Sequence, residues 1–109
     1  MARDEGLEEI LREDLASRAG LTEKAMFGGW AWLHDGNLLC AARDDGMLAR
    51  LGKGNDDWAL EIADVGPMIS RGRRMSGWVR AGPAAYGDDD TRRRLLAVAF
   101  AFVETLPPK

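Results

Sequence analysis

The stretch of sequence that decides the fold is residues 30–51, which read WAWLHDGNLLCAARDDGMLARL. Two Asp-Gly pairs, Asp35-Gly36 and Asp45-Gly46, divide this stretch into three short apolar segments. An Asp-Gly pair is a strong hairpin signal because both residues tolerate positive φ angles. Two tight turns in series therefore predict a three-stranded antiparallel meander.

The first of these strands leaves two interpretations of its tryptophans open. Trp30 and Trp32 share one side of the strand, and Ala31 and Leu33 share the other. If the tryptophans face away from the helices, they form an exposed aromatic surface suited to a protein partner or to self-association. If they face the helices they are core, which is slightly favoured because helices need large side chains to pack on.

The sequence on either side of the meander predicts helices and a second hairpin. Asp4 caps a first helix with an apolar stripe (Leu7, Ile10, Leu11, Leu15). A final helix starts at Asp88-Asp89-Asp90, presents apolar residues from Leu95 to Leu106 and stops at Pro107-Pro108. After the meander we expect a short helix around Trp58, ended by Gly66-Pro67, and then a hairpin of residues 68–70 and 75–80. The predicted fold is α+β, one domain over residues 1–109 with the order α-β(3)-α-β(2)-α and helices packed on an antiparallel sheet.

Composition excludes several classes of protein. The chain has 109 residues, 46% of them hydrophobic and 30% charged, which is typical of a soluble globular domain and not of a disordered or fibrous chain. No secretion signal precedes the first helix, and the longest apolar run is too short to span a membrane. The single cysteine, Cys40, fits a reducing cytoplasm, where we expect the protein to be located.

The net charge of −3 conceals one basic segment. Residues 1–70 carry a net charge of −7, whereas residues 71–80 contain four arginines and no acid: Arg71, Arg73, Arg74 and Arg80. Three of them lie at the tip of the predicted second hairpin, where they could contact phosphates. Anion or nucleic-acid binding by this hairpin is one hypothesis, and a solvated tip that forms ion pairs with the acidic remainder is the alternative.

The sequence predicts no catalytic, cofactor or metal site. His34 and Cys40 are the only histidine and cysteine, too few for the usual sets of zinc ligands. We expect Cys40 to be a buried apolar residue, and Asp88, Asp89 and Asp90 to be favoured by a helix dipole without a metal. Gly28-Gly29 precedes a strand and not a helix, so a bulge or close backbone approach is expected there and not a phosphate loop.

The chain resembles the TfoX N-terminal domain family of bacterial competence regulators. Three sequence motifs carry the resemblance: Lys24-Ala25-Met26-Phe27-Gly28-Gly29, the small-residue strand Cys40-Ala41-Ala42, and a strand that ends in Leu-x-Arg at Arg50. The resemblance covers about residues 7–106, so we expect a standalone domain without the helical C-terminal domain of full-length TfoX. The fifth strand, Ser76 to Arg80, departs from the tyrosine-rich strand of many family members.

The resemblance implies a function without catalysis. We expect a small regulatory or protein-interaction module that acts through its sheet, with a protein partner or a second copy of the chain as the binding partner. The resemblance also implies kinship with small sheet-and-helix domains similar to secretion chaperones, many of which bind other proteins. Nucleic acid is the less favoured partner, and neither a cofactor nor a membrane is expected.

Overall fold

The computed structural model describes residues 4–26 and 28–109 of the chain. Within these residues, four helices and six strands follow one another along the chain. In chain order the elements are α1 (Glu5–Leu15), β1 (Leu21–Met26), β2 (Gly29–His34), β3 (Asn37–Arg43), β4 (Gly46–Arg50), α2 (Asp57–Leu60), β5 (Val65–Ser70), β6 (Arg73–Ala81), α3 (Pro83–Tyr86) and α4 (Asp89–Val103).

The strands form one antiparallel sheet in the order β1-β2-β3-β4-β6-β5. The meander predicted from residues 30–51 is confirmed as β2, β3 and β4. Asp35 and Gly36, which join β2 to β3, have φ angles of 49° and 85°, as their turn chemistry requires. The predicted α+β class, with helices packed on an antiparallel sheet, is confirmed.

The structure differs from the predicted elements in three details. Strand β1 was not expected; each of its side chains is exposed or half-buried, so it has no apolar alternation. Helix α3 lies where a loop was expected, and it is only four residues long. Gly66-Pro67 does not end helix α2 but lies within β5, where Pro67 is tolerated because β5 is an edge strand.

The helices cover one face of the sheet and form the main core with it. Trp32, which is 2% exposed, packs there with Leu95, Leu96, Ala99 and Val103 of α4 and with Leu7, Leu11 and Leu15 of α1, whereas Ile10 of the predicted stripe is exposed. A bulge in β3 adds to this core: Trp32 pairs with Cys40 and Leu33 with Leu38, so Leu39 is the extra residue. Leu39 and Cys40 are both fully buried in the helix-covered core.

A buried ion pair joins α1 to α4 within the helix layer. The Nε of Arg92 donates to Oδ2 of Asp14 at 2.6 Å, and the two side chains are 5% and 9% exposed. The Nη1 of Arg92 also donates to the carbonyl oxygen of Tyr86, the last residue of α3, at 2.9 Å. One arginine therefore fixes three helices relative to one another.

The opposite face of the sheet is called the open face below. Its buried cluster consists of Ala31, Ala41, Leu48, Met68 and Trp78, with Met26 and Leu38 packed against it. Met26 belongs to β1 and Met68 to β5, the two opposite edges of the sheet. Edges of a flat six-stranded sheet would lie about 24 Å apart. Residues of both edge strands nevertheless line one cleft on this face, so the sheet is curled and its open face is concave.

Candidate functional site

The curled open face holds a cleft of about 430 Å³, within the size range of ligand pockets. Every strand contributes to its lining, which consists of Lys24, Met26, Leu33, Gly36, Leu38, Arg50, Met68, Met75, Trp78 and Lys109. Behind this lining, Ala31 and Ala41 are fully buried in the centre of the sheet. These small side chains leave depth that larger residues would fill. The cleft is called the open-face cleft below.

The apolar part of the open-face cleft is rich in methionine. Met26, Met68 and Met75 come from three different strands and line the cleft together with Trp78. Methionine side chains are unbranched and polarizable, so they adapt to ligands of differing shape. Met75 and Trp78 share this face although they are three residues apart, because Gly77, with a φ of 83°, interrupts the alternation of β6.

The charged side chains of the described residues that line the open-face cleft are all cationic. They are Lys24, Arg50 and Lys109. Lys109 is brought there by the C-terminal segment, which binds the β2–β3 turn. The amide of Lys109 donates to the carbonyl of Asp35 at 2.8 Å, and the amide side chain of Asn37 donates to the carbonyl of Pro107 at 2.9 Å. Apolar walls and cations suit a ligand with an apolar group beside a negative charge.

Of these three cations, Arg50 is the one best placed to bind an anion. Its guanidinium lies 6.0 Å from the ring centre of Trp78 and 5.7 Å from that of Phe102, and Nη1 donates to the carbonyl of Leu38 at 3.4 Å. Among residues 4–26 and 28–109, no carboxylate lies within ion-pair distance of it. Arg50 is therefore held in place with its charge available to an anion.

The family-motif residues divide between lining the cleft and shaping the strands around it. Met26 and Arg50 line the open-face cleft. Gly28 has a φ of 72°, and at Gly29 an added Cβ would overlap the carbonyl oxygen of Ala42 in β3. The close backbone approach expected at Gly28-Gly29 is thus confirmed at Gly29. Phe27 lies outside the described residues.

Trp30 and Trp32 do not lie on the open face. Trp32 is buried in the helix-covered core, and Trp30 packs against the same core with its Nε1 donating to Oε1 of Glu23 at 2.7 Å. The structure therefore agrees with the interpretation in which both tryptophans pack in the helix-covered core. The expectation of an exposed Trp30–Trp32 interaction surface is corrected, because α1 and α4 cover that side of β2. The tryptophan that lines the open face is Trp78.

The four arginines of residues 71–80 do not form one patch. Arg71 lies in the β5–β6 turn and Arg73 just after it, both exposed. Arg74 lies 3.7 Å from Asp56 Oδ2 at the start of α2. Arg80 lies six residues further along β6, roughly 20 Å away at strand spacing, and donates to the carbonyl of Asp45 at 2.6 Å. The tip therefore offers Arg71 and Arg73, with Arg74 and Arg80 engaged elsewhere.

The residues considered for catalysis and metal binding are placed apart. Cys40 is fully buried, and burial raises the pKa of its thiol well above the ordinary value, as expected for an apolar core residue. His34 packs edge-on against Phe100 at 5.2 Å. In the part of the chain that the structure describes, no three histidine, cysteine or acidic residues are grouped for a metal ion. Asp88 to Asp90 lie at the start of α4, as predicted.

Sequence reasoning missed the open-face cleft itself. The alternation of β2 assigns Leu33 to the side opposite Trp32, and the same signal exists for Leu48 and Trp78 in β4 and β6. Combining these strands would have indicated a second apolar face. The curl that brings β1 and β5 to the same cleft depends on tertiary packing and has no local signal.

The chain was compared with protein families, curated proteins and solved structures. The model of the TfoX N-terminal domain matches residues 13–103, most of the chain. No curated protein and no solved structure gives a significant match. No helix of the described residues is long and apolar enough to cross a membrane. Given the coverage of the family model, the chain belongs to the TfoX N-terminal domain family.

Proposed function

We propose that this protein is a non-enzymatic regulatory module of the cytoplasm that binds a partner protein through the open-face cleft. The segment it binds carries a large apolar side chain next to a carboxylate. The apolar side chain enters between Met26, Met68 and Trp78, and the carboxylate meets Arg50. Membership of the TfoX N-terminal domain family supports a TfoX-like module, and the lining of the cleft supports its use as the binding site.

The observation that carries this proposal is the unbalanced charge of an otherwise apolar cleft. Among the described residues, its lining combines six large apolar side chains with Lys24, Arg50 and Lys109 and contains no aspartate or glutamate. A cation held at an apolar surface is costly to desolvate unless an anion partners it. An acidic segment would supply that anion, and its apolar neighbour would bury surface in the cleft. Electrostatic attraction by three cations would also favour acidic segments over basic ones.

Binding without catalysis is supported by the chemistry of the reactive side chains. A nucleophilic cysteine needs an accessible thiolate, whereas the pKa of Cys40 is raised by complete burial. Among the described residues, the lining of the cleft holds no histidine, aspartate or glutamate side chain to move a proton. Its arginine and lysines suit the recognition of a negative charge.

The test is to pan a displayed library of random dodecapeptides against the folded protein. We expect enriched peptides to share a Phe, Leu, Met or Trp within two positions of Asp or Glu. The most enriched peptide should then bind the Arg50→Gln variant about 10- to 100-fold more weakly, because one charge-assisted hydrogen bond contributes about 1.5–3 kcal/mol. Fluorescence anisotropy of the labelled peptide measures this change.

Arg73→Gln is the matched control, since it removes the same charge from an exposed strand residue outside the cleft. We expect it to change the dissociation constant by less than about twofold, in line with the small effect of exposed charges. The absence of any enriched acidic-apolar consensus would contradict the proposal. Equal weakening by Arg50→Gln and Arg73→Gln would do so as well.

Anion or nucleic-acid binding at the β5–β6 hairpin is the second candidate. The observation that favours it is the exposure of Arg71 and Arg73, which have no ion-pair partner among residues 4–26 and 28–109. Binding of a single-stranded oligonucleotide should then fall steeply with salt and fall again in Arg73→Gln. A flat salt response, or no binding at low salt, would remove this candidate.

A further inference from the structure

The two edges of the sheet differ in their capacity to accept another strand. At the β5 edge, Pro67 has no amide hydrogen, and the register with β6 shifts between Pro67 and Ile69. Both features interrupt a ladder of hydrogen bonds. At the other edge, β1 pairs with β2 without a register shift over all six of its residues, from Leu21 to Met26. The β1 edge is therefore the regular one.

The ladder between β1 and β2 shows which backbone groups of β1 point away from the sheet. The amide of Asp35 donates to the carbonyl of Gly20 at 3.3 Å, which extends the pairing of Leu21 with His34 by one residue. Hydrogen-bonded pairs alternate along an antiparallel ladder. The even-numbered residues of β1 therefore bond to β2. The amides and carbonyls of Glu23 and Ala25 point outward, and both residues are exposed.

The same strand also forms one wall of the open-face cleft. Lys24 and Met26 line the cleft, whereas Glu23 lies on the helix-covered side with Arg12 and Trp30. A strand added beside β1 would lie about 4.8 Å beyond it and continue the curl of the sheet. Alternate side chains of that strand would then face the open-face cleft, next to Lys24 and Met26.

The charges of β1 oppose pairing with a second copy of itself. Two copies of β1 could pair antiparallel to each other across the edges of their sheets. Both helix layers then lie on the same side of the joined sheet only if one residue of β1 pairs with the same residue of the second copy. In the two registers with the longest overlap, that residue is Glu23 or Lys24. Like charges directly opposite each other destabilise a strand pair. The occupant favoured at this edge is therefore a segment of a different protein with acidic residues.

We propose that the partner segment binds as a seventh strand, antiparallel or parallel to β1. It would form backbone hydrogen bonds with Glu23 and Ala25 and direct alternate side chains into the open-face cleft. This inference rests on the proposed function and specifies its mode of recognition. Backbone pairing supplies affinity that is independent of sequence. The cleft and Lys24 select apolar and acidic side chains at alternate positions.

Amide hydrogen exchange tests the proposal on the unaltered protein. The probe is the most enriched library peptide, synthesised with acetylated and amidated ends and added at saturation. We expect exchange at the amides of Glu23 and Ala25 to slow by at least about tenfold, as expected for amides that enter a ladder. Unchanged exchange at both amides, with the peptide bound, would overturn strand addition while leaving binding in the cleft intact.

A pair of variants at one position gives an independent readout. Ala25→Pro removes the outward amide hydrogen, and we expect it to weaken peptide binding about tenfold, as the loss of one backbone hydrogen bond implies. Ala25→Ser retains that hydrogen and should change binding by less than about twofold. Equal affinities of the two variants would overturn the proposal. If Ala25→Pro does not fold, the exchange measurement decides.

The oligomeric state separates a partner strand from a second copy of the chain. Sedimentation velocity without peptide should show a monomer at all concentrations tested. Slowed exchange at Glu23 and Ala25 that increases with protein concentration, without any peptide, would overturn the assignment of this edge to a different protein.

Discussion

Replacing Arg92 with methionine should destabilise the fold by about 3 kcal/mol, because it leaves a buried carboxylate without its main partner. Arg92 and Asp14 are 5% and 9% exposed at their side chains and 2.6 Å apart. In the variant, Asp14 retains only the Nε of Arg93, at a longer distance of 3.4 Å. Breaking a buried pair costs roughly 3–5 kcal/mol, and the remaining contact with Arg93 places the expected loss at the low end.

The assay is chemical and thermal unfolding at pH 7, followed by circular dichroism. In a domain of this size, a loss of about 3 kcal/mol lowers the Tm by at least about 12 °C. The matched control is Arg93→Met, which removes a neighbouring arginine whose side chain is 62% exposed, and it should cost less than about 1 kcal/mol. The double variant Asp14→Leu/Arg92→Met should recover most of the lost stability, since an apolar pair removes both buried charges. A loss below about 1 kcal/mol for Arg92→Met, or no difference from Arg93→Met, would refute the reasoning.

Three further predictions concern other parts of the fold. Gly29→Ala should destabilise the protein by more than about 2 kcal/mol, because the new methyl group overlaps a β3 carbonyl, whereas Gly66→Ala, with open space around it, should cost little; urea unfolding measures both. Hydrogen bonding to Arg12 lowers the folded-state pKa of Glu23, so its stabilising effect is present above the unfolded pKa of about 4.3 and is lost as the pH falls below it; Glu23→Gln should flatten the decline of Tm in that window. Cys40 should react with Ellman's reagent only on unfolding, and rapid reaction of the folded protein would contradict its burial.

The meander was predictable because its signals are local. Asp35-Gly36 specifies a tight turn through the conformations that these two residues tolerate, whatever packs around them. Strand β1 gave no comparable signal, since its side chains are exposed or half-buried and it forms through pairing with β2. Strands at a sheet edge take their conformation from the neighbouring strand and need no apolar alternation of their own.

The site was less predictable than the fold, because the alternation along a strand shows which residues share a side but not which side the helices cover. The sequence places Trp30 with Trp32 and opposite Ala31, but which side meets the helices is decided by packing. The position of Met75 shows a second limit. Strict alternation from Trp78 assigns Met75 to the helix-covered face. The positive φ of Gly77 shifts the alternation, so Met75 lies on the open face with Trp78. The cleft also requires a curled sheet, which no single segment encodes.

The central claim is that the open-face cleft, and not the helix layer or the basic hairpin tip, binds the partner. The four tryptophans test it directly, because Trp78 lines the cleft while Trp30, Trp32 and Trp58 pack against the helix-covered core. Each indole N–H gives its own signal in a nitrogen-15 correlation spectrum. On titration with the most enriched library peptide, the Trp78 indole signal should shift and the other three should stay in place. Shifts at Trp30, Trp32 or Trp58 with Trp78 unmoved would contradict the account.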